Sequence, residues 1–291
     1  MVEQGMAGQR MAAQRIASDD GRWYFQHGPI DIVIGADGEP SALVRAHDEA
    51  WARFRILLDE LVAELPLLRR PVGDACPLQG PVARRMWQAC HPFRAGFITP
   101  MAAVAGAVAQ ELVAFYRRPG VARAWINNGG DIALHLAPGQ ALTVGLYSDL
   151  ARLDAAQLTQ GLVLDGRARI SHSMPVRGIA TSGWRGRSHS LGIADSVTVF
   201  ARSAAEADAA ATVIANAVDI DDPRIVRRPA SSLKDDSDLG DRLVTVDVPP
   251  LSPSAVRQAL SAGHARAEAL QNAGLIVSCA LVCQGQSWSS Q

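Results

Sequence analysis

The chain is short of cysteine, of net charge and of long apolar runs, and each shortage excludes something. Cys76, Cys90, Cys279 and Cys283 are its four cysteines, and no two of them form a CxxC pair. Cys279 and Cys283 fall in an apolar run, Leu275 to Val282 and just beyond, whose spacing predicts one face of a buried strand. Free core thiols are the expectation, since reduced cysteine is among the most buried residue types. The formal net charge is −1, so the overall field attracts neither nucleic acid nor an anionic membrane surface. No stretch reaches the roughly 20 apolar residues that span a bilayer. Arg10 and Arg15 are followed by no apolar run, and the Gln-, Ala- and Gly-rich start reads as a loose leader rather than a signal peptide. No lipobox-like cysteine lies near the start, which makes the cytoplasm the expected location. A P-loop, a dinucleotide fingerprint after a strand, a GxSxG elbow, and HxH or HExxH patterns are all missing.

What is there is ordinary globular material. Hydrophobic residues make up 48% and charged residues 20% of 291, enough for a sizeable core without staples. Alternation predicts strands at Arg22 to Phe25 and Pro29 to Ile34, with Gly35 to Gly38 closing the second as a turn. Trp51, Phe54, Leu57, Leu58, Leu61 and Leu65 recur at helical spacing, and Pro66 stops that helix. Thr99 suits an N-cap and Pro100 the first helical position of the next one. Gly106 inside it costs about 1 kcal/mol against Ala, which points to close packing. Further strands are expected at Asp131 to Leu136, Ala141 to Tyr147, Leu162 to Leu164, Ala168 to Ile170, Val176 to Ala180, Ser196 to Ala201, Leu243 to Val248 and Leu275 to Cys283. Asp221 to Asp241 reads as a long surface loop. Strands and helices mix without βαβ alternation, so the expected class is α+β. The expected organisation is a leader over 1–21, one domain over 22–285 and a polar tail over 286–291.

The helix from Ser203 to Asp219 carries the most information. Ser203 and Glu206 form a capping box. Beyond it, Asp208, Thr212, Asn216 and Asp219 are spaced 4, 4 and 3, which makes one stripe. Such a stripe either meets water, as on any amphipathic helix, or offers oxygen ligands to a hard cation. Gly129 and Gly130 lack Cβ atoms, so their N–H groups can approach a ligand, or simply turn the chain. Thr181, Ser182 and Gly183 end a strand with small hydrogen-bonding groups that suit a phosphate, a ribose or a turn. His189 lies in a polar loop, with Arg185 and Arg187 nearby to attract a diphosphate or stay solvated.

Taken in order, these segments resemble the ApbE-like superfamily, the fold of the FAD:protein FMN transferases. Asp208-Ala-Ala-Ala-Thr212 resembles the family's Asp-x-x-x-Thr signature, and Ala180-Thr181-Ser182-Gly183 its Ala-Thr-Ser-Gly segment. His189 matches the position of the family's site histidine, with Asp195 following. Asn127-Asn128-Gly129-Gly130-Asp131 is similar to its Gly-Gly-Asp turn. The resemblance covers roughly Tyr24 to Asp219. It implies an ApbE-like, T-fold-related arrangement of mixed sheets with packed helices.

It also implies a site. Asp208 and Thr212 would hold Mg²⁺ against the pyrophosphate of FAD. Asn128, Gly129, Gly130, Thr181, Ser182 and Gly183 would contact the nucleotide, and His189 or Asp131 would assist deprotonation of a Thr or Ser hydroxyl on an acceptor protein. Two segments depart from the pattern, and one is the stretch after His189, which reads Ser190-Leu-Gly-Ile-Ala194 in place of the usual Ile-Ile-Asp-Pro. The other, Pro100 to Gly106, keeps the glycine but has neither the acidic residue nor the lysine of the transferases, and so resembles an uncharacterised branch. Three readings follow: an FMN transferase, a non-catalytic flavin-binding module, or an enzyme on an unrelated small molecule in the same cleft. A homo-oligomer is compatible with each.

Overall fold

The structure is a computed structural model that describes residues 12–146, 166–186 and 188–290. The strand expected at Leu162 to Leu164, the first part of the leader and Arg187 lie outside the described residues.

The chain opens with strands β1 (Gln14–Ala17), β2 (Trp23–His27) and β3 (Ile30–Gly38). Helix α1 (Pro40–Ala63) follows, and Pro66 falls in the separate short helix α2 (Leu65–Leu68). Next come α3 (Pro81–Cys90), a 3-10 turn over Pro100–Ala103 and α4 (Val104–Val113). Strands β4 (Val121–Asn128), β5 (Asp131–Leu136), β6 (Ala141–Leu146), β7 (Gly166–Ser171), β8 (Gly178–Ser182) and β9 (Ser196–Ala201) lead to α5 (Ala204–Ala217). The chain then makes β10 (Val226–Pro229), β11 (Leu243–Asp247), α6 (Pro253–Asn272), β12 (Ser278–Cys283) and β13 (Gln286–Ser289).

Nine strands form one sheet in the order β1-β2-β3-β4-β5-β8-β9-β12-β13. Each neighbouring pair runs antiparallel, including β3–β4, β5–β8 and β9–β12, which are joined by long connections rather than hairpins. Alternation along the strands splits the apolar residues between two faces. One face buries Ile126, Ala180, Val197 and Val199 with the helices. The other buries Leu134, Ile179 and Phe200 with Val144 and Ile170 of the β6–β7 hairpin. Cys279 and Cys283 face the helix-side core with free thiols. Burial pushes their pKa values up, to about 11 and about 12.

Three local expectations need correction. Gly35 to Gly38 is not a turn: β3 continues through it, paired with β4, with a bulge at Asp37/Gly38. Gly35 is there because the Trp125 indole lies where a Cβ would come within 2.4 Å. Asp221 to Asp241 is not all loop, because Val226–Pro229 pairs with β11. Thr99 starts its turn without capping it; its hydroxyl instead bonds the Asp238 carboxylate, 139 residues away.

Two glycines set the helix positions. A Cβ on Gly178 would come within 2.1 Å of the Ser203 carbonyl carbon, so β8 and the start of α5 touch backbone to backbone. A Cβ on Gly106 would come within 2.2 Å of the Ala204 oxygen, so α4 meets α5 in the same way.

Candidate functional site

Helix α5 begins at Ser203, whose Oγ accepts the Glu206 N–H at 3.3 Å. Its alanines are buried against β8, β9 and α4, so the polar stripe is what remains on the open side. Asp208, Thr212 and Asn216 of that stripe line a cleft of about 280 Å³. Asp219 leaves the stripe and pairs with Arg227 of β10. The stripe therefore borders a concave site rather than open water.

Asp208 is fixed from the neighbouring helix. The Gly106 N–H donates to its Oδ2 at 2.9 Å. That bond depends on the close α4–α5 approach that Gly106 permits. Burial pushes the Asp208 pKa well above the usual carboxylate range, and the Asp131 carboxylate pushes it the same way. Hydrogen bonds from the Gly106 and Ala105 N–H groups oppose the shift. Asp131, at the start of β5, lines the same cleft and accepts the Thr181 N–H at 3.3 Å.

Ser182, Ser188 and His189 line the side formed by the end of β8 and the loop after it. Asn216 organises that loop: its Oδ1 accepts the Leu191 N–H at 2.9 Å and the Ser190 hydroxyl at 3.2 Å. One residue of the α5 stripe thus fixes the segment that carries His189.

Of the residues singled out in the sequence, Asp131, Ser182, His189, Asp208 and Thr212 converge on the cleft. Five others have different work and lie outside its lining. Asn128 donates from Nδ2 to the Ala105 oxygen at 3.1 Å, tying the end of β4 to α4. Gly129 and Gly130, at φ 66° and 113°, make the β4–β5 turn, where the Gly130 N–H donates to Asn127 Oδ1 at 2.8 Å. Thr181 shares a 2.9 Å hydroxyl bond with Thr198 of β9. Gly183 is buried where a Cβ would come within 2.4 Å of the Asp195 oxygen. Asp195 itself accepts from the Trp184 indole at 3.3 Å and from the Gln284 N–H.

Sequence reasoning missed the wall built by residues 234–239, with Arg69 beside them. The adjoining lining from Phe97 to Ala105 includes most of the Pro100 to Gly106 segment already singled out. Met101, Ala102, Val104 and Ala105 make the uncharged part. Beside backbone bonds to Ala230 and Ser231, side-chain contacts hold the 234–242 segment in place, among them Arg69 to Asp236 at 2.6 Å, the Thr99 hydroxyl to Asp238, and the Arg242 guanidinium 3.5 Å above the Phe97 ring. A charge-rich stretch without periodicity carries no signal that separates a wall from a solvated loop.

The groups lining the cleft from α5 and β5 are two carboxylates, the Thr212 hydroxyl and the Asn216 amide, whose Oδ1 is already taken by Leu191 and Ser190. Among the described residues, no three His, Cys, Asp or Glu side chains gather closely enough to enclose a metal by themselves. Two carboxylates, with a ligand's phosphates completing the shell, is the arrangement Mg²⁺ favours. A cation here would also relieve the repulsion that raises the Asp208 pKa. The residues fit such an ion.

The fold and cleft define an α+β protein with a wide antiparallel sheet and an acidic, oxygen-lined cleft beside its Ala-rich helix. The chain belongs to the family described as AbpE bacteria, which it matches over residues 13–289. It is 36% identical over 208 residues to a UPF0280 protein of Methanopyrus kandleri, covering 71% of this chain and 78% of that one. With a UPF0280 protein of Methanosarcina barkeri it shares 33% identity over 200 residues, covering 68% and 72%. Among solved structures it is similar to the flavinyl transferase ApbE of Pseudomonas stutzeri in its apo form, at 12% identity and TM-score 0.47, covering 96% of this chain and 94% of that one. The flavin transferase ApbE of Vibrio cholerae gives 12% identity and TM-score 0.38, covering 96% and 98%. Among the described residues no helix is long and apolar enough to cross a membrane.

Proposed function

We propose that this chain binds a flavin nucleotide, FAD, together with a divalent cation in the α5 cleft, and transfers FMN to a Thr or Ser hydroxyl of an acceptor protein. The observation that carries the reading is the meeting of Asp208, Thr212 and Asp131 in one cleft, with Asp208 anchored by the Gly106 N–H at 2.9 Å. Asp208 and Thr212 would hold Mg²⁺, which when bound neutralises pyrophosphate charge. Ser182 offers a hydroxyl to the nucleotide. Asp131 or His189 would take the proton from the acceptor hydroxyl as its oxygen bonds the FMN phosphorus, the P–O bond of the pyrophosphate breaks and AMP leaves. The cleft is at the small end of ligand pockets, so a dinucleotide would extend out of it, toward the exposed His189 loop.

A second reading is favoured by the uncharged wall from Met101 to Ala105: a flavin-binding module without transfer chemistry. Incubation with FAD, Mg²⁺ and a Thr-containing acceptor peptide separates the two. A peptide gaining the mass of FMN supports transfer. Tight FAD binding without product supports the module, and no FAD binding by the wild type sinks both.

A further inference from the structure

Lys234 is the single lysine among the chain's 28 Lys and Arg residues; the other 27 are arginines. Positive charge is thus supplied by guanidinium almost everywhere. The one lysine ammonium lines the candidate cleft, with Arg69 beside it. An ammonium is a compact charge with three rotatable donors, suited to a phosphate oxygen approached from varying directions.

Its present partner holds it loosely. Asp236 is engaged by Arg69 at 2.6 Å, whereas the Lys234 ammonium stands 3.7 Å from the other Asp236 oxygen, beyond hydrogen-bond distance. The Lys234 side chain is 67% exposed, and an exposed ion pair of this kind opens at little cost. The facing wall is anionic, with Asp131 and Asp208, and Asp238 is tied to Thr99. A phosphorylated ligand entering the cleft therefore meets carboxylates on the α5 side, and on the other side two cations that share Asp236, with Asp238 turned to Thr99.

We propose that Lys234, supported by Arg69, binds a phosphoryl group of the ligand and exchanges its loose contact with Asp236 for it. This deepens the nucleotide reading and rests on it for the ligand's class.

The single lysine makes the test direct, because amine acetylation can modify only Lys234 and the α-amino group. The two rates are compared by mass spectrometry with inorganic pyrophosphate, with FAD plus Mg²⁺, and with neither. Either phosphorylated probe should slow Lys234 acetylation severalfold while the α-amino rate holds. By calorimetry Lys234→Ala should weaken pyrophosphate binding about tenfold, the size of one charge-assisted hydrogen bond. Lys234→Arg should recover most of that loss, and Asp236→Asn should tighten binding. If FAD binds while Lys234 labelling and the Lys234→Ala affinity stay unchanged, the assignment is overturned and the flavin reading survives. If pyrophosphate protects Lys234 but FAD does not bind, the assignment stands and the flavin reading falls. If neither probe binds or protects, both are overturned.

Discussion

The two walls of the cleft are built on opposite principles. On the α5 side a few polar groups stand on a helix packed by buried alanines, and Asp208 is pinned by a backbone N–H of α4. On the 234–242 side the charges are many and exposed, and they are held by ion pairs and one cation–π contact. The first wall is rigid because moving Asp208 means moving helices. The second is held by contacts that salt weakens and a charged ligand can replace. A cleft with one fixed and one adjustable wall suits a ligand whose metal-bound part needs precise placement and whose remainder varies.

The largest effect should come from breaking the fixed wall at its closest approach. Gly106→Ala places a methyl group 2.2 Å from the Ala204 oxygen. It should cost about 3 kcal/mol, seen as a lower denaturation midpoint. The same change should abolish any metal-dependent ligand binding, because it displaces the N–H that holds Asp208.

Next is the charge on Asp208 itself. Its folded pKa is raised, so its contribution to stability is fully present below the ordinary value of 3.8 and is lost as pH rises through the folded value. Asp208→Asn keeps an acceptor for the Gly106 N–H and carries no charge. Without metal it should therefore melt higher than the wild type at neutral pH, with the gain vanishing in acid. Added Mg²⁺ should raise the melting temperature of the wild type and leave Asp208→Asn unchanged. Equal melting of the two proteins at all pH values would mean that Asp208 carries no electrostatic penalty.

The smallest effect belongs to the adjustable wall. Thr99→Val removes the hydroxyl that bonds Asp238 and should cost about 1 kcal/mol. Raised salt should narrow the difference between Arg242→Ala and wild type much less than that between Arg69→Ala and wild type. Arg242 sits on an aromatic face and Arg69 in an exposed ion pair, so thermal melts at two ionic strengths distinguish them.

The same contrast explains what could be read from the chain alone. The α5 wall follows a period: a capping Ser, buried alanines, and polar groups four residues apart. Periodicity also located β2 and α1. What it could not do was separate a stripe facing water from one facing a cleft, since that depends on where α4 and residues 234–239 lie. Gly106 was legible as a close-packing position, but not its partner 102 residues later. Thr99 looked like a cap because its local signal is a cap signal, and only a contact across 139 residues overrules it. The Asn128–Gly130 turn and Thr181 were read for their chemistry, whereas the structure uses them to join strands and hold α4.

Calorimetric titration of the protein with FAD, with Mg²⁺ and with EDTA, tests the central claim most directly when it is repeated on Asp208→Ala. Mg²⁺-dependent binding to the wild type, lost in the variant while the fold persists by circular dichroism, is the expected result. FAD binding of equal strength with and without metal, or unchanged in Asp208→Ala, would contradict it.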